Sequence, residues 1–148
     1  MKKLACVVFG LSYLAAALSE PARADVEHLC STPPAVTTAV TPEFPDVAMK
    51  FGYSDIIAVD VFVAADGSVV RATLQPGVRE LFDLAALAVR AAGEWKFNEA
   101  PGCEARTATL TFDFQRVPIG TPGGTRFKPP YGVEIFRTAF RFDVRPVP

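Results

Sequence analysis

The side chains that could support catalysis or metal binding are few and widely spaced in this 148-residue sequence. The single histidine, His28, lies two residues before Cys30, but no second cluster supplies the remaining ligands of a four-ligand metal site. Asp60 and Asp113 could act as paired carboxylates, although alternating polar positions on a half-solvated sheet explain them more simply. We therefore predict no catalytic residues, no metal site, no cofactor and no enzymatic activity.

Two of the three cysteines, Cys30 and Cys103, lie well beyond the amino terminus. They lack the Cys-x-x-Cys spacing that is typical of reactive thiol pairs. They are the two cysteines that remain if the amino-terminal segment is a cleaved export signal, as argued below. An even number of cysteines in an exported chain favours a structural disulfide, which would contribute about 4 kcal/mol on the chain-entropy model. The alternative is a pair of free thiols, which mass spectrometry of the unreduced protein would detect.

The amino terminus is typical of a cleavable secretory signal peptide. Two lysines precede an uncharged apolar run over residues 4–18, and an Ala-x-Ala motif ends at Ala24. The run is shorter than the ~20 apolar residues that a membrane-spanning helix needs. We therefore predict that residues 1–24 are removed, that residues 25–148 are periplasmic, and that no stable membrane anchor remains after cleavage.

The charge of the mature chain excludes one class of partner. Cleavage leaves 12 basic and 15 acidic residues, and a net charge of −3 does not suit an electrostatic nucleic-acid binder. Residues 25–116 carry 13 acidic and 7 basic side chains, whereas residues 117–148 carry 5 basic and 2 acidic ones. This basic tail could face an acidic partner or an anionic surface. The alternative is that it docks on the acidic body of its own domain.

The mature chain has the length of one domain, preceded by a Thr- and Pro-rich leader over residues 25–44. A short helix is predicted from Asp46 to Phe51. Strands over residues 56–64 and 68–75 follow, joined by a two-residue turn at Asp66-Gly67. That turn predicts three apolar pairs on the core face: Val63 with Val70, Val61 with Ala72, and Val59 with Leu74.

The next segments alternate between helix and strand. Residues 81–92 have an apolar helical stripe that includes Leu81 and Leu84, and Gly93 is predicted to end the helix. Residues 105–115 form a third strand, and residues 118–132 are predicted to be loop. The third strand's inward residues are predicted to be Ala108, Leu110, Phe112 and Phe114. Trp95 and Phe97 are expected to close the core between helix and sheet, and residues 133–144 have the character of a further strand.

Four motifs of residues 42–116 fit one known family. They are Pro42-Glu43-Phe44-Pro45-x-x-Ala48, the Asp66-Gly67 hairpin, Leu84-Ala85-Ala86-Leu87-x-Val89 before Trp95-Lys96-Phe97, and Pro101-Gly102 before the strand that reaches Phe114. Together they resemble the carboxy-terminal domain of TonB-family energy transducers. The resemblance implies an α+β fold in which an antiparallel three-stranded sheet, with a fourth carboxy-terminal strand as an option, packs on two helices. The domain would cover residues 45–116, followed by a loop and a basic strand or arm over residues 117–148.

The resemblance also implies a partner. The family's domain binds outer-membrane transporters, and a segment near the transporter's amino terminus adds itself beside the last strand by β-augmentation. The matching positions in the third strand are Thr107, Thr109, Leu110, Thr111 and Asp113. Because no anchor remains after cleavage, we expect binding of a protein partner, associated with transport across the outer membrane, rather than energy transduction. The alternative is a structural envelope accessory whose edge is sealed by residues 133–144.

Overall fold

A computed structural model describes residues 30–139. The predicted signal peptide, His28, and residues 140–144 of the last predicted strand lie outside this range. The described elements are β1 (Val36–Thr38), α1 (Asp46–Lys50), β2 (Asp55–Val63), β3 (Val69–Leu74), α2 (Leu84–Glu94), β4 (Lys96–Phe97), β5 (Arg106–Val117), β6 (Gly124–Lys128) and β7 (Gly132–Thr138). No helix within residues 30–139 is long and apolar enough to span a membrane.

The α+β class is confirmed, but the main sheet is larger than predicted. It has five strands in the order β3-β2-β5-β7-β6, and β1 and β4 form a separate two-stranded sheet. All neighbours in the main sheet are antiparallel except β5 and β7, which are parallel. The expected three-stranded antiparallel sheet is not confirmed. β3, β2 and β5 are antiparallel neighbours, but β7 lies beside β5 and β6 lies beyond β7, so the sheet is mixed and has five strands.

The core lies between one face of the main sheet and the two helices. Every second residue is buried on this face from Ile57 to Val63 in β2 and from Arg106 to Phe114 in β5, because alternate side chains of a strand share a face. Ala48 and Met49 of α1 cover them, together with Ala88, Ala91 and Ala92 of α2. The expected role of Trp95 and Phe97 in core closure is confirmed, since the two side chains are 0% and 3% exposed.

The helix α2 differs from its prediction at both ends. Phe82 and Asp83 adopt left-handed φ angles of 53° and 59°, which interrupt the helical path, so α2 begins at Leu84 rather than at Leu81. Leu81 is exposed instead of lying on the buried stripe. Gly93 does not end the helix, which continues to Glu94. The buried stripe itself is confirmed at the remaining predicted positions: Leu84, Ala85 and Ala88.

The hairpin between β2 and β3 contains a bulge that the sequence did not predict. Val59 pairs with Leu74 and Val61 with Ala72 as expected, but Val63 pairs with Val69 rather than with Val70. The amide of Gly67 donates to the carbonyl of Ala64 (3.0 Å), and that of Ala64 to the carbonyl of Ser68 (2.9 Å). The loop is therefore one residue longer than a two-residue turn and ends in a left-handed glycine, with φ 82°. The shift turns Val70 outward, where it is 67% exposed.

Candidate partner-binding site

The predicted binding strand, β5, lies inside the sheet. On one side it pairs with β2 from Val63↔Arg106 to Asp55↔Phe114, and on the other it pairs with β7 from Thr111↔Gly132 to Val117↔Thr138. The expectation that this strand is an open edge is therefore wrong for Thr111 and Asp113. The physical reason is that Val133 and Ile135 of β7 are buried in the same core, so β7 gains apolar burial by joining β5 there.

The other three predicted positions lie in the part of β5 that does not pair with β7. Thr107 and Thr109 are exposed on the solvent-facing side of the sheet, whereas Leu110 is fully buried in the core. Thr109, Thr111 and Asp113 line a cleft of about 410 Å³ beside the turn that joins β6 to β7. The structure thus brings three of the five predicted residues together in a cleft, while Leu110 has a packing role.

The two carboxylates that the sequence singled out are held by separate partners. Asp60 accepts hydrogen bonds from the Thr109 hydroxyl (2.7 Å) and from the Gln75 amide (3.1 Å), and Asp113 accepts one from the Gln115 amide (2.6 Å). Asp60 pairs in register with Thr109, four residues before Asp113. That spacing corresponds to about 13 Å along the strand. Each carboxylate therefore organises its own part of the polar face.

The predicted disulfide is confirmed between Cys30 and Cys103, whose Cα atoms are 5.6 Å apart. The backbone amide of Cys30 also donates to the carbonyl of Ala105, just before β5 (3.2 Å). Farther along the same segment, the Pro34 carbonyl accepts a hydrogen bond from the Tyr131 hydroxyl (2.7 Å). The disulfide and these hydrogen bonds hold residues 30–34 beside both ends of the short stretch of β5 that β7 does not cover.

The outer strand on this side of the sheet is β6, which lies within the predicted loop of residues 118–132. All five of its residues are exposed, and among residues 30–139 it pairs with β7 alone. Its only local signals are the alternation of Arg126, Phe127 and Lys128 between glycine and proline pairs. A strand with no buried residue has no apolar periodicity, so these signals are too weak to identify it.

The backbone groups that β6 presents to solvent follow from the ladder. The backbone amide of Thr111 donates to the carbonyl of Tyr131. The N–H and C=O groups of the odd-numbered residues of β7 therefore point toward β5, and those of the even-numbered residues point toward β6. The register Arg126↔Glu134 then directs the peptide groups of the even-numbered residues of β6 toward β7. The N–H and C=O groups of Thr125 and Phe127 consequently point away from the sheet, as in an edge that can accept another strand.

The solvent-facing side of β6 carries an ion cluster, which we call the basic hairpin cluster: Arg126, Lys128 and Glu134. Arg126 contacts Oε2 of Glu134 (2.6 Å), and Lys128 contacts Oε1 (2.9 Å). The side chain of Glu134 is only 7% exposed, while those of Arg126 and Lys128 are 66% and 62% exposed. One carboxylate therefore holds two cations at the rim of the sheet, and the cluster has a net positive charge.

The tail's other basic residues behave differently. Arg137 forms an ion pair with Asp46 and donates to the carbonyl of Phe44, so this part of the tail docks on the domain body. Arg141 and Arg145 lie outside the described residues. Of the two interpretations of the basic tail, self-docking accounts for Arg137, whereas Arg126 and Lys128 remain largely open to a partner.

The basic hairpin cluster predicts a pH dependence of stability. Hydrogen bonds from Lys128 and Arg126 hold the pKa of Glu134 below its ordinary value of 4.5. A lowered folded-state pKa stabilises the protein above the unfolded-state pKa, and this stabilisation is lost as pH falls through the folded-state value. We expect the free energy of unfolding, measured with urea, to be larger for wild type than for Glu134→Gln. The difference should be constant near neutral pH and shrink below pH 4.5.

The exposed Glu94, in the last turn of α2, provides the control. Glu94→Gln should change stability less than Glu134→Gln at neutral pH, because surface carboxylates contribute little. If the margin between wild type and Glu134→Gln did not change on acidification, the ion cluster would not be the source of its stability.

The core-facing side of β6 has one large apolar side chain. Phe127 pairs in register with Val133, and its ring centroid lies 6.2 Å from that of Trp95. Phe127 is nevertheless 43% exposed, since no described strand lies beyond β6 to cover it. The edge therefore combines free peptide groups, two exposed cations on one side and a half-exposed ring on the other.

Together, these features define an α+β domain with a mixed five-stranded sheet and an exposed, basic edge strand. No known family model matches the chain, and no curated protein sequence is significantly similar to it. The resemblance to the TonB family therefore continues to depend on the sequence motifs of residues 42–116.

Proposed function

We propose that this chain is a non-enzymatic periplasmic protein-binding module related to the carboxy-terminal domain of TonB-family transducers. Its partner would be the amino-terminal segment of an outer-membrane transporter, bound as an added strand. The observation that carries the proposal is the outer edge of β6, whose peptide groups at Thr125 and Phe127 point to solvent. The binding strand is thus β6 rather than β5, which has β7 beside it over residues 111–117.

The Cys30–Cys103 disulfide supports an exported location, because such bridges persist in extracytoplasmic compartments. The proposed role is binding alone, without energy transduction. Strand addition at β6 requires only the folded domain and no membrane anchor.

An NMR titration of the ¹⁵N-labelled protein with transporter amino-terminal peptides tests this function. We expect saturable shifts centred on the amides of β6, above all those of Thr125 and Phe127, which gain hydrogen-bond acceptors. The same peptides with scrambled sequence are the control. Shifts that are absent from β6 for every peptide would contradict the proposal.

A second candidate function is favoured by the pairing of β7 with β5. In this case the chain is a structural envelope accessory, and its own carboxy-terminal strand occupies the edge that a partner would use. Hydrogen exchange separates the two candidates in the same samples. An accessory of this kind would show slow exchange at Thr111 and Asp113 and no peptide-dependent change at any amide, whereas a binding module would show protection of Thr125 and Phe127 on peptide addition.

A further inference from the structure

The edge of β6 specifies the chemistry of the strand that it would accept. We infer that the partner segment alternates acidic and apolar residues, with carboxylates facing Arg126 and Lys128 and an apolar side chain covering Phe127. This inference rests on the proposed function, and it adds a sequence pattern to it.

The spacing of the two cations sets the acidic positions. Arg126 and Lys128 lie on the same side of the sheet because side chains two residues apart in a strand share a face. Residues directly opposite one another on paired strands have Cβ atoms about 5 Å apart, a distance at which opposite charges attract. An added strand therefore meets these two cations with two of its own alternate residues.

The charge of the cluster favours carboxylates at those two positions. Among residues 30–139, Glu134 is the one carboxylate in contact with both Arg126 and Lys128, so one positive charge of the pair remains uncompensated within the cluster. The Arg126 guanidinium is also positioned by the Phe136 ring, 5.2 Å from its centroid, and is thus partly ordered before a partner arrives. A partner carboxylate gains attraction here at little cost in side-chain ordering.

Phe127 sets the residue between the two carboxylates. Its ring faces the opposite side of the sheet, next to the fully buried Trp95. A valine or leucine opposite Phe127 would remove the exposed part of the ring from water and extend the core by one strand. A polar residue at this position would leave the ring half-exposed.

Charge repulsion opposes the simplest alternative occupant, a second copy of this chain. The antiparallel register that pairs all five residues of β6 with their symmetry copies places Arg126 opposite Arg126. A register centred on Phe127 places Arg126 opposite Lys128. Both arrangements bring like charges together, so an acidic segment of another protein suits the edge better.

Trp95, the only tryptophan, offers a direct readout because it lies beside Phe127. Three decapeptides are titrated into the purified protein: alternating aspartate and valine, alternating asparagine and valine, and alternating lysine and valine. We expect the aspartate peptide to bind about tenfold more tightly than the asparagine peptide at low salt, an advantage that 0.5 M NaCl removes. The lysine peptide should bind most weakly.

Two sets of variants locate the interaction. Arg126→Gln combined with Lys128→Gln should equalise the affinities of the aspartate and asparagine peptides. Thr125→Pro removes an outward-facing N–H without removing a bond to β7, and it should abolish binding of both peptides. Ala72→Pro is the matched change at the opposite edge. The amide of Gln75 donates to the carbonyl of Ala58, so in the same ladder the peptide groups of Thr73 face β2 and those of Ala72 face outward. Ala72→Pro should leave binding unchanged.

The outcomes distinguish the inference from the proposed function. Equal binding of the aspartate and asparagine peptides to the wild-type protein would overturn the acidic pattern while leaving strand addition intact. Failure of all three peptides and of every transporter peptide to bind would overturn both. The wild-type titrations decide these points even if Thr125→Pro does not fold. Loss of binding in Ala72→Pro but not in Thr125→Pro would move the site to β3 and overturn the inference.

Discussion

Removal of the Cys30–Cys103 disulfide is expected to lower the free energy of unfolding by about 4 kcal/mol. The two cysteines are 73 residues apart in sequence, so the bridge restricts much of the unfolded chain. In the folded state it fastens the amino-terminal segment beside β5 through Cys30 and, farther along, the fully buried Pro34. Urea unfolding of wild type and of the double variant Cys30→Ala/Cys103→Ala, both under non-reducing conditions, measures the loss.

Reduction provides an independent control for this prediction. A thiol reductant should destabilise the wild-type protein by nearly the same amount and leave the double variant unchanged. If the double variant lost less than about 1 kcal/mol, restriction of the unfolded chain would not be the main contribution of the bridge. Because Pro34 contacts Tyr131 in the turn that precedes β7, the peptide titrations should also be carried out with and without the thiol reductant.

The parts of the fold that the sequence predicted are those with strong local patterns. The alternation of Ala108, Leu110, Phe112 and Phe114 identified the buried face of β5, and all four are buried. The same reasoning located β2, most of α2 and the core position of Trp95. In each case the apolar period of a single segment was sufficient, because burial on one face is a local property of a strand or helix.

The position of β5 within the sheet could not be predicted in the same way. Residues 133–138 were correctly expected to have strand character, but their alternation does not specify which strand they join. The chain passes through β6 before β7 pairs in parallel with β5, so the neighbour is set by contacts distant in sequence. The candidate site moved from β5 to β6 for this reason.

The hairpin bulge was missed because two turn types share one dipeptide. Asp66-Gly67 is compatible with a two-residue turn and with a longer loop in which only the glycine is left-handed. The structure has the longer loop, and the Asp66 carboxylate accepts hydrogen bonds from both the amide (2.8 Å) and the hydroxyl (2.6 Å) of Ser68. This choice is connected to a contact with the distant strand β4, since Gly67 accepts a hydrogen bond from the amide of Phe97 (2.9 Å).

That contact makes Gly67→Ala the most damaging small substitution that we expect in the loops. The φ angle of Gly67 is 82°, and a Cβ atom there would lie 2.0 Å from the carbonyl oxygen of Phe97. The added methyl group must therefore push the loop away from β4, beyond the cost of a left-handed alanine. We expect a loss of about 3 kcal/mol or more in the free energy of unfolding, measured by urea titration with Trp95 fluorescence.

Gly77→Ala separates the two contributions to this loss. Gly77 has a similar φ angle of 88°, but a Cβ atom there would meet no other atom within 4 Å. Its replacement should cost only the left-handed penalty, about 1 kcal/mol. The difference between the two variants then measures the contact between the hairpin loop and Phe97. Equal losses would mean that the loop relaxes freely, and that the bulge is stabilised by Asp66 and Ser68 rather than by β4.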